Sequence, residues 1–264
     1  MYLLADIGGT KTKIGLSKNT KNIYKKFIFD TLKDYSQFLE FIKRYKNLKI
    51  KKACFGFPGV FDKNKEKLLK APNLKDFENK NLKRDLEKIL DCKVILENDA
   101  LLAGLGEAEF GAGKNYKIFG YLTISTGIGG AKIVNKKIED NVFGFEPGHS
   151  FLIFNLDNFT EVENIISGRA LEEIFKTKPE NIKEKNFWRE YELILSLFLI
   201  NVSLFWSVNL IIIGGSISQS LNFKNLNFLV NKFHPLPIQV KILKSKLKNF
   251  SGLYGCLLKI KEML

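Results

Sequence analysis

Three apolar runs of this chain end in glycine-rich turns, and these turns constrain the fold more than any other feature. The turns read DIGGTKT from Asp6, STGIGG from Ser125 and IIIGGSIS from Ile211. Glycine lets backbone N–H groups approach an anion without a Cβ in the way, and Thr or Ser hydroxyls add further donors. Singly, such a glycine pair is more often a plain tight turn, and neither P-loop nor Rossmann spacing is present. Together the three turns favour a nucleotide-binding protein.

The regions around these turns alternate between strand and helix patterns. YLLA, KIGLS and NIYKKFIFD predict a β-meander at the start of the chain. An amphipathic helix is predicted from the helical spacing of Phe38, Phe41, Ile42 and Tyr45, and NLKRDLEKILD repeats that spacing. KKACFGF and KVILEND are further strands, and a second cycle follows with IFGYLTIS, AKIVN, LIIIGG and QVKIL. A long helix around Trp188–Trp206 and a closing helix SGLYGCLLKIKEML complete an α/β pattern of mixed sheets flanked by helices.

The charge of the chain is strongly positive but dispersed. Among 264 residues, 42 Lys and Arg face 28 Asp and Glu, which gives a net charge of +14. Such a charge can indicate nucleic acid or an anionic membrane surface as a partner. Here the lysines are scattered with Asn, Ile and Phe, as in KNTKNIYKKF, and they form no compact basic arm. We therefore expect no specific nucleic-acid partner and no membrane partner.

Cysteine usage and hydropathy bear on the compartment. The three cysteines, Cys54, Cys92 and Cys256, are odd in number and form no C-x-x-C pair. A disulfide framework and a cysteine-rich zinc site are therefore not expected, and we expect the protein to lie in the reduced cytoplasm. No signal peptide is expected, because Asp6 interrupts the first apolar run. The uncharged stretch Leu193–Ile213 is long enough for a membrane helix. Polar residues interrupt it, however, and SVN followed by LIIIGG predicts a helix that ends before a buried strand.

Two carboxylates follow predicted strands, where phosphate chemistry could use them. Asp6 could orient Mg²⁺ through water, because that ion takes few carboxylates and keeps its waters; the alternative is an aspartate that caps the turn. Asp99 ends the strand KVILEND, where it could accept a proton from a substrate hydroxyl as that hydroxyl attacks a γ-phosphate. Local sequence equally allows Asn98 or Asp99 to be the N-cap of the next helix.

Taken in order, the motifs of the chain resemble those of ROK-family sugar kinases. The motifs are DIGGTKTKIG, GFPGVFD, APNL, ENDALLAGLGEAEFGAG, LTISTGIGGAKIVN, GFEPGHS, ENIISGRAL and LIIIGGSIS. The resemblance implies the two-lobed, actin-like (ribonuclease H-like) fold of the actin, hexokinase and Hsp70 superfamily, with a cleft between the lobes. It places the smaller lobe at residues 1–113 plus the closing helix 250–264, and the larger lobe at 114–249.

The resemblance also implies the site. The opening turn would be the first phosphate loop, STGIGG the second, and IIIGG would lie beside the adenosine. Asp99 would be the catalytic base. The implied ATP and phosphate contacts are Asp6, Gly8, Gly9, Thr10, Lys11, Thr126, Gly127, Gly214 and Gly215, with Asp6 also at the Mg²⁺ site. The implied sugar contacts are Asn73, Asn98, Asp99, Glu146, His149 and Glu163.

The residue types of the implied sugar site suit sugar recognition, because carboxylates and amides pair with hydroxyl groups. From local sequence alone, however, Glu146 and Glu163 would be surface residues, and His149 a structural histidine.

One segment departs from the family pattern. Family members usually carry a zinc loop, C-x-C-G-x-x-G-C, after the histidine of E-x-G-H, whereas SFLIFNLDNFTEV stands here without a cysteine. We therefore expect no structural zinc. Burial of apolar side chains is expected to hold the segment instead. These side chains are Phe151, Leu152, Ile153, Phe154, Leu156 and Phe159. His149 would then face the sugar or bond to Glu163 or a backbone group.

The function implied by the resemblance is ATP- and Mg²⁺-dependent phosphorylation of a small-molecule sugar by a homodimer. APNL resembles members that act on glucose or N-acetylmannosamine more than the fructokinase branch. Two alternatives stand beside it: a sugar-responsive transcription regulator, and a catalytically weakened sugar-binding relative. Regulators of the family carry a helix-turn-helix ahead of the first phosphate loop, which this chain reaches by Gly8, so the kinase is preferred.

Overall fold

A computed structural model describes residues 1–155 and 158–264 of the chain. Its strands are β1 (Tyr2–Ile7), β2 (Lys11–Ser17), β3 (Lys25–Asp30), β4 (Lys52–Phe57), β5 (Val60–Phe61), β6 (Leu68–Lys70), β7 (Lys93–Asn98), β8 (Ile118–Ile124), β9 (Ile128–Val134), β10 (Lys137–Ile138), β11 (Phe151–Asn155), β12 (Asn158–Glu161), β13 (Leu210–Gly214) and β14 (Lys241–Lys244). Its α-helices are α1 (Tyr35–Lys43), α2 (Leu82–Leu90), α3 (Asp99–Phe110), α4 (Glu163–Ile166), α5 (Gly168–Phe175), α6 (Lys185–Trp206), α7 (Phe223–Phe233) and α8 (Ser251–Glu262). Short 3-10 helices lie at Lys46–Leu48, Lys75–Phe77, Pro147–His149, Pro179–Asn181, Ile217–Gln219 and Lys248–Phe250.

The chain divides into two compact units. Unit 1 contains Met1–Gly106, Asp140–Gly144 and Phe250–Leu264, and unit 2 contains Glu107–Glu139 and Phe145–Asn249. Each unit holds a five-stranded sheet, with strand order β3-β2-β1-β4-β7 in unit 1 and β10-β9-β8-β13-β14 in unit 2. In both sheets the first three strands are antiparallel and the last two are parallel to the central one. The two sheets therefore share one topology, and the predicted α/β fold with mixed sheets flanked by helices is confirmed.

The sheet of unit 1 is covered on both faces. Because side chains alternate along a strand, Leu3 of β1 packs among the aromatic residues of α1 and the 75–77 turn, whereas Leu4 packs against α3 and α8. Burial of both faces explains why YLLA is continuously apolar. Asp6 follows Leu4 on the α3 and α8 side, and its side chain is itself buried.

In unit 2, helices α6 and α7 cover the sheet, and α7 also closes its edge. The side-chain amide of Asn227 exchanges two hydrogen bonds of 2.9 Å with the backbone of Ile242. Asn231 pairs in the same way with Val240, at 2.8 and 2.9 Å. These amides take the place of a further strand beside β14, so the outward-facing backbone groups of Ile242 and Val240 are satisfied.

The long uncharged stretch of the sequence forms the second half of α6 and strand β13. The helix ends where Ser207 takes a left-handed conformation with φ 51°, and β13 begins three residues later. The predicted order of helix and buried strand is confirmed. Among the described residues, no helix is both long and apolar enough to cross a membrane.

Candidate active site

The first glycine turn joins β1 to β2 and leaves no room for side chains at its two glycines. The Gly8 N–H donates to the Lys11 carbonyl at 2.9 Å, and a Cβ at Gly8 would lie 2.9 Å from the same oxygen. A Cβ at Gly9 would lie 3.2 Å from Cγ of Asn73. Lys33 donates to the carbonyls of Gly9 and Asn73, the latter at 2.8 Å. The structure therefore brings the APNL segment against the predicted first phosphate loop.

Strand register gives the two lysines of this turn different partners. Lys11 stands opposite Asp30 on β3, and its ammonium lies 2.6 Å from that exposed carboxylate. Lys13 stands opposite Asp6 on β1, and its ammonium lies 3.1 Å from Oδ2 of Asp6. Burial lowers the pKa of Lys13, but attraction to Asp6, the hydrogen bond with Asp6 and the charge of Asp99 together hold that pKa above its ordinary value. Lys13 is therefore charged at neutral pH, although its motif did not mark it as a site residue.

The boundary between β7 and α3 resolves which polar residue caps the helix. Oδ1 of Asn98 accepts the N–H groups of Ala100 and Leu101 at 2.9 and 3.1 Å, so Asn98 is the N-cap. Its amide nitrogen donates to the carbonyl of Gly59 at 3.3 Å. Asp99 is the first helical residue, and its Oδ1 also accepts the Ala100 N–H at 2.8 Å.

Residue Gly56 allows Asp99 to lie at the same end of the sheet as Asp6, where the parallel strands have their carboxyl ends. Asp6 pairs with Gly56 in the parallel ladder of β1 and β4. A Cβ at Gly56 would lie 2.8 Å from Cδ1 of Leu102 and 3.4 Å from Cα of Asp99. Because Gly56 has no side chain, the start of α3 packs directly over the strand next to Asp6. Both candidate carboxylates are therefore held by regular structure of unit 1.

In unit 2, Glu163 lies against the second glycine turn. Its Oε2 accepts the Ile128 N–H at 2.6 Å, and its Oε1 accepts from the Arg169 guanidinium at 3.0 Å. A Cβ at Gly127 would lie 2.6 Å from Oε2, and one at Gly148 would lie 3.4 Å from it. Glu163 is thus mostly buried rather than a surface residue. Arg169 was not predicted as a site residue, because nothing in the local sequence marks it as a partner of Glu163.

The third glycine turn also belongs to unit 2, as do the predicted contacts Thr126, Glu146 and His149. A Cβ at Gly214 would lie 2.2 Å from the Tyr121 hydroxyl, and Gly215 has a left-handed φ of 84° against the Ile124 carbonyl. The carbonyl of Thr126 accepts the Arg169 N–H at 3.3 Å. Glu146 is half-buried and directly precedes the 3-10 helix that contains His149. In unit 1, the carbonyl of Thr10 accepts the Thr31 N–H at 3.0 Å.

Comparison with known families identifies the chain. The model of the ROK family matches residues 2–262. The chain belongs to the ROK family. Its fold is the actin-like fold of ROK sugar kinases, as the motif order predicted, and this confirms the resemblance.

Relatives of this ROK protein include kinases and repressors. A glucokinase from Thermotoga maritima is 33% identical over 155 residues, which span 54% of this chain and 48% of that protein. A fructokinase from Lactococcus lactis is 26% identical over 261 residues, spanning 91% and 89%. A xylose repressor from Bacillus spizizenii is 38% identical over 100 residues, spanning 37% and only 26% of the repressor. The family therefore supports sugar phosphorylation without specifying the sugar.

Solved structures give the same fold over nearly the whole chain. A ROK glucokinase from Streptomyces griseus, in complex with glucose and AMPPNP, has a TM-score of 0.83 at 22% identity and covers 98% of this chain and 99% of that one. A ROK hexokinase from Thermus thermophilus has a TM-score of 0.81 at 21% identity and covers 99% of each chain. These likenesses show the fold of the ROK protein.

The segment that replaces the zinc loop is a two-stranded hairpin, and it corrects two expectations. Phe151 of β11 and Phe159 of β12 are 58% and 61% exposed, and their rings contact each other at 5.7 Å. Leu152 packs against the core of unit 2. Burial of both phenylalanines was therefore a wrong prediction, because a two-stranded hairpin covers only one of its faces. Leu156 lies outside the described residues, as do the side chains of Ile153 and Phe154.

The second correction concerns the alternative in which His149 bonds to Glu163. Its Nδ1 lies 2.8 Å from Oε2 of Glu161, not of Glu163. Glu161 ends β12 and pairs with Phe151, two residues after His149, so the hairpin itself brings the carboxylate to the imidazole. Glu163 is already engaged by Ile128 and Arg169.

Proposed function

We propose that this ROK protein transfers the γ-phosphoryl group of ATP to a hydroxyl of a hexose or amino sugar, as a glucokinase or N-acetylmannosamine kinase does. The observation that carries the proposal is that Asp99 and Asp6 both lie at the carboxyl ends of parallel strands in the unit 1 sheet. There the candidate proton acceptor follows β7 and the candidate phosphate-binding turn follows β1, two parallel strands that are separated only by β4. The carboxyl ends of parallel strands commonly form ligand sites in α/β folds.

The chemistry assigns one role to each group. The carboxylate of Asp99 accepts the proton of the sugar hydroxyl, the hydroxyl oxygen forms a bond to the γ-phosphorus, and the bond from that phosphorus to the ADP oxygen breaks. The glycine turn at Gly8 and Gly9 presents backbone donors to the phosphates. Asn73, which lies against Gly9, is proposed to bind a sugar hydroxyl near the transferred group.

Magnesium suits this site through Asp6. Within the described part of the chain, no group of three or more His, Cys, Asp or Glu side chains could hold a metal ion. Mg²⁺ needs no such group, because it binds through one or two carboxylates, water and the substrate phosphates. Asp6, with one oxygen on Lys13, would accept from a metal-bound water. When bound, the ion supplies positive charge to the phosphate oxygens.

The remaining sugar contacts are part of the same proposal. Asn98, Glu146, His149 and Glu163 are assigned to sugar hydroxyls from their motifs. Their geometry adds that Asn98 and Glu163 also hold backbone groups in place. The APNL motif supports glucose or N-acetylmannosamine as the substrate. Homodimer formation rests on the family, and a cytoplasmic location rests on three cysteines that are free thiols.

A coupled ADP-release assay across aldohexoses, amino sugars and ketohexoses tests the proposal. We expect ATP- and Mg²⁺-dependent release of ADP with glucose or N-acetylmannosamine, and slower release with fructose. ADP release that no sugar stimulates would refute the proposal and would favour the weakened, sugar-binding relative.

A second candidate is a sugar-responsive regulator, which the similarity to xylose repressors favours. A regulator binds a defined DNA sequence. A dispersed basic charge binds DNA without sequence preference, and its affinity falls steeply as the salt concentration rises. We expect only the second behaviour. A footprint on a defined operator at physiological salt would reverse the order of the two candidates.

A further inference from the structure

Strand β3 forms one outer edge of the unit 1 sheet. It stands last in the strand order, beside β2, and each residue of Lys25–Asp30 is exposed. Three consecutive apolar side chains, those of Phe27, Ile28 and Phe29, are 39%, 48% and 36% exposed. In unit 2, by contrast, asparagine amides of α7 occupy the outer edge of β14. An exposed apolar edge such as β3 is a template for pairing with another strand.

The hydrogen bonds of β3 decide which backbone groups point outward. Directly after the strand, the Thr31 N–H donates to the Thr10 carbonyl at 3.0 Å. The direction of such groups alternates along an antiparallel strand. The N–H and C=O groups of Lys26, Ile28 and Asp30 therefore point away from β2, and a strand added at this edge would pair with these three residues.

The side chains of β3 lie on two faces of the sheet. Phe27 and Phe29 project toward α1, and the ring centroids of Phe29 and Phe41 are 5.0 Å apart. The residues with outward backbone groups project from the opposite face. There the Lys26 ammonium lies 4.8 Å from the ring centroid of Tyr254 on α8. A partner strand would therefore meet an aromatic face on one side and a charged face on the other.

The sequence of β3 is complementary to itself in one antiparallel register. When Ile28 stands opposite Ile28 of a second copy, Lys26 faces Asp30 of that copy. In the same register Phe27 faces Phe29, and a two-fold axis repeats each contact. Opposite charges and aromatic rings are favourable cross-strand pairs. A shift by two residues loses the charge pair, and a shift by four places Lys26 against its own copy, where like charges repel.

A cavity beside this edge offers a place for the aromatic side chain of a second copy. The cavity has a volume of about 520 Å³ and lies between β3 and α1, where Phe29, Phe38 and Phe41 form its apolar wall. Pockets of this size hold whole small ligands, so one phenyl ring fits. Because Phe27 of a second copy would stand opposite Phe29 on the α1 face, its ring would lie at this cavity. Aromatic side chains in a partner's pocket commonly anchor interfaces.

We propose that two copies of this ROK protein pair antiparallel through β3, with Phe27 of each copy in the cavity of the other. This inference rests on the homodimer included in the proposed function, and it gives that homodimer its surface. Repulsion between two chains of net charge +14 is screened beyond about 8 Å at physiological ionic strength. Two strand edges form an interface at the small end of the specific range, so we expect the dimer to dissociate at micromolar concentration.

Disulfide trapping tests the register. The two Ile28 Cα atoms would lie about 5.5 Å apart across the axis, which a disulfide can span. Ile28→Cys, in a Cys92→Ser background that removes the half-buried native thiol, should form a covalent dimer with oxidised glutathione. Lys25→Cys is the matched control, because this residue is also exposed but would lie about 20 Å from its own copy. Linkage of the control alone, or of neither variant, would overturn the register.

Charge reversal at the axis tests the pairing without a new thiol. Ile28→Lys places two ammonium groups opposite each other, and Ile28→Glu places two carboxylates. In sedimentation equilibrium we expect each variant alone to dimerise about tenfold more weakly, and an equimolar mixture to recover the dimer. Phe27→Ala empties the cavity and should weaken the dimer about tenfold or more. Phe228→Ala, at a site 61% exposed on α7, controls for the loss of an exposed ring.

The outcomes separate this inference from the kinase proposal. A parental protein that stays monomeric from about 1 to 100 µM would overturn the assignment and the homodimer together. A parental dissociation constant in both Ile28→Lys and Phe27→Ala would overturn the role of β3 and move the homodimer to another surface. An intact dimer that releases no ADP with any sugar would defeat the kinase proposal alone.

Discussion

Replacement of Asn98 by alanine should cost both stability and activity, and the structure allows the first cost to be worked out. The N-cap bond to Leu101 is lost, whereas Ala100 keeps Asp99 as an acceptor. The Gly59 carbonyl loses its donor. An N-cap contributes about 0.5–2 kcal/mol and an ordinary hydrogen bond about 0.5–1.5 kcal/mol. We therefore expect the free energy of unfolding to fall by about 1–3.5 kcal/mol.

Asn98→Asp separates the cap from the sugar contact. Aspartate caps helices as well as asparagine does, so we expect this variant to recover most of the stability lost by alanine. It has no amide to donate to Gly59, and it adds a negative charge beside Asp99. Its kcat/KM should therefore stay at least about tenfold below the parental value, the effect of about 1.4 kcal/mol.

Thermal melting measures the loss of stability, and the coupled kinase assay measures the loss of kcat/KM. A chain of this size loses about 2–4 °C of melting temperature per kcal/mol. The matched control is Asn222→Ala, because Asn222 caps α7 through the N–H groups of Lys224 and Asn225. It should lose similar stability and keep parental kcat/KM. Parental kcat/KM in Asn98→Asp would refute the reasoning and leave Asn98 as a cap only.

Three further outcomes are expected. Glu107→Gln should lower the free energy of unfolding by about 2–5 kcal/mol in a denaturant titration, because the Glu107 carboxylate accepts the N–H groups of Ala112, Lys246 and Leu247; an unchanged midpoint would contradict this. Burial, Glu87 and Asp91 raise the pKa of Cys92 to about 11, so alkylation of this thiol should accelerate about tenfold per pH unit from pH 8 to 10, and a plateau near pH 9 would disagree. A strong zinc chelator, with Mg²⁺ in excess, should leave the melting temperature unchanged; stoichiometric zinc or a large drop would reveal other ligands.

Much of the fold followed from periodicity, because β1, β2 and α2 bury the apolar residues that their patterns mark. The opening meander, the helix of NLKRDLEKILD and the strand LIIIGG all lie where they were predicted. The exposure of Phe151 and Phe159 could not be predicted from periodicity. Alternation in a hairpin states which residues share a face, but not which face meets the core.

Part of the candidate site could be predicted from the sequence. Counting outward from the glycine turn along two antiparallel strands places Lys13 opposite Asp6, so the register was an available signal. The choice of Asn98 over Asp99 as N-cap depends on the backbone where β7 ends, and both side chains suit that role. The contact between Glu163 and Ile128 joins residues 35 positions apart, and no local pattern encodes it.

The turnover of Asp99→Asn tests the central claim most directly. Asparagine keeps the size of the side chain and an acceptor for Ala100 but cannot take the proton of the sugar hydroxyl. In the coupled assay at saturating ATP, Mg²⁺ and sugar, we expect kcat to fall by about 10²- to 10⁴-fold, the range for a general base, with sugar affinity measured by titration nearly unchanged. Turnover at the parental rate would contradict the account and would leave Asp99 as a structural residue at the start of α3.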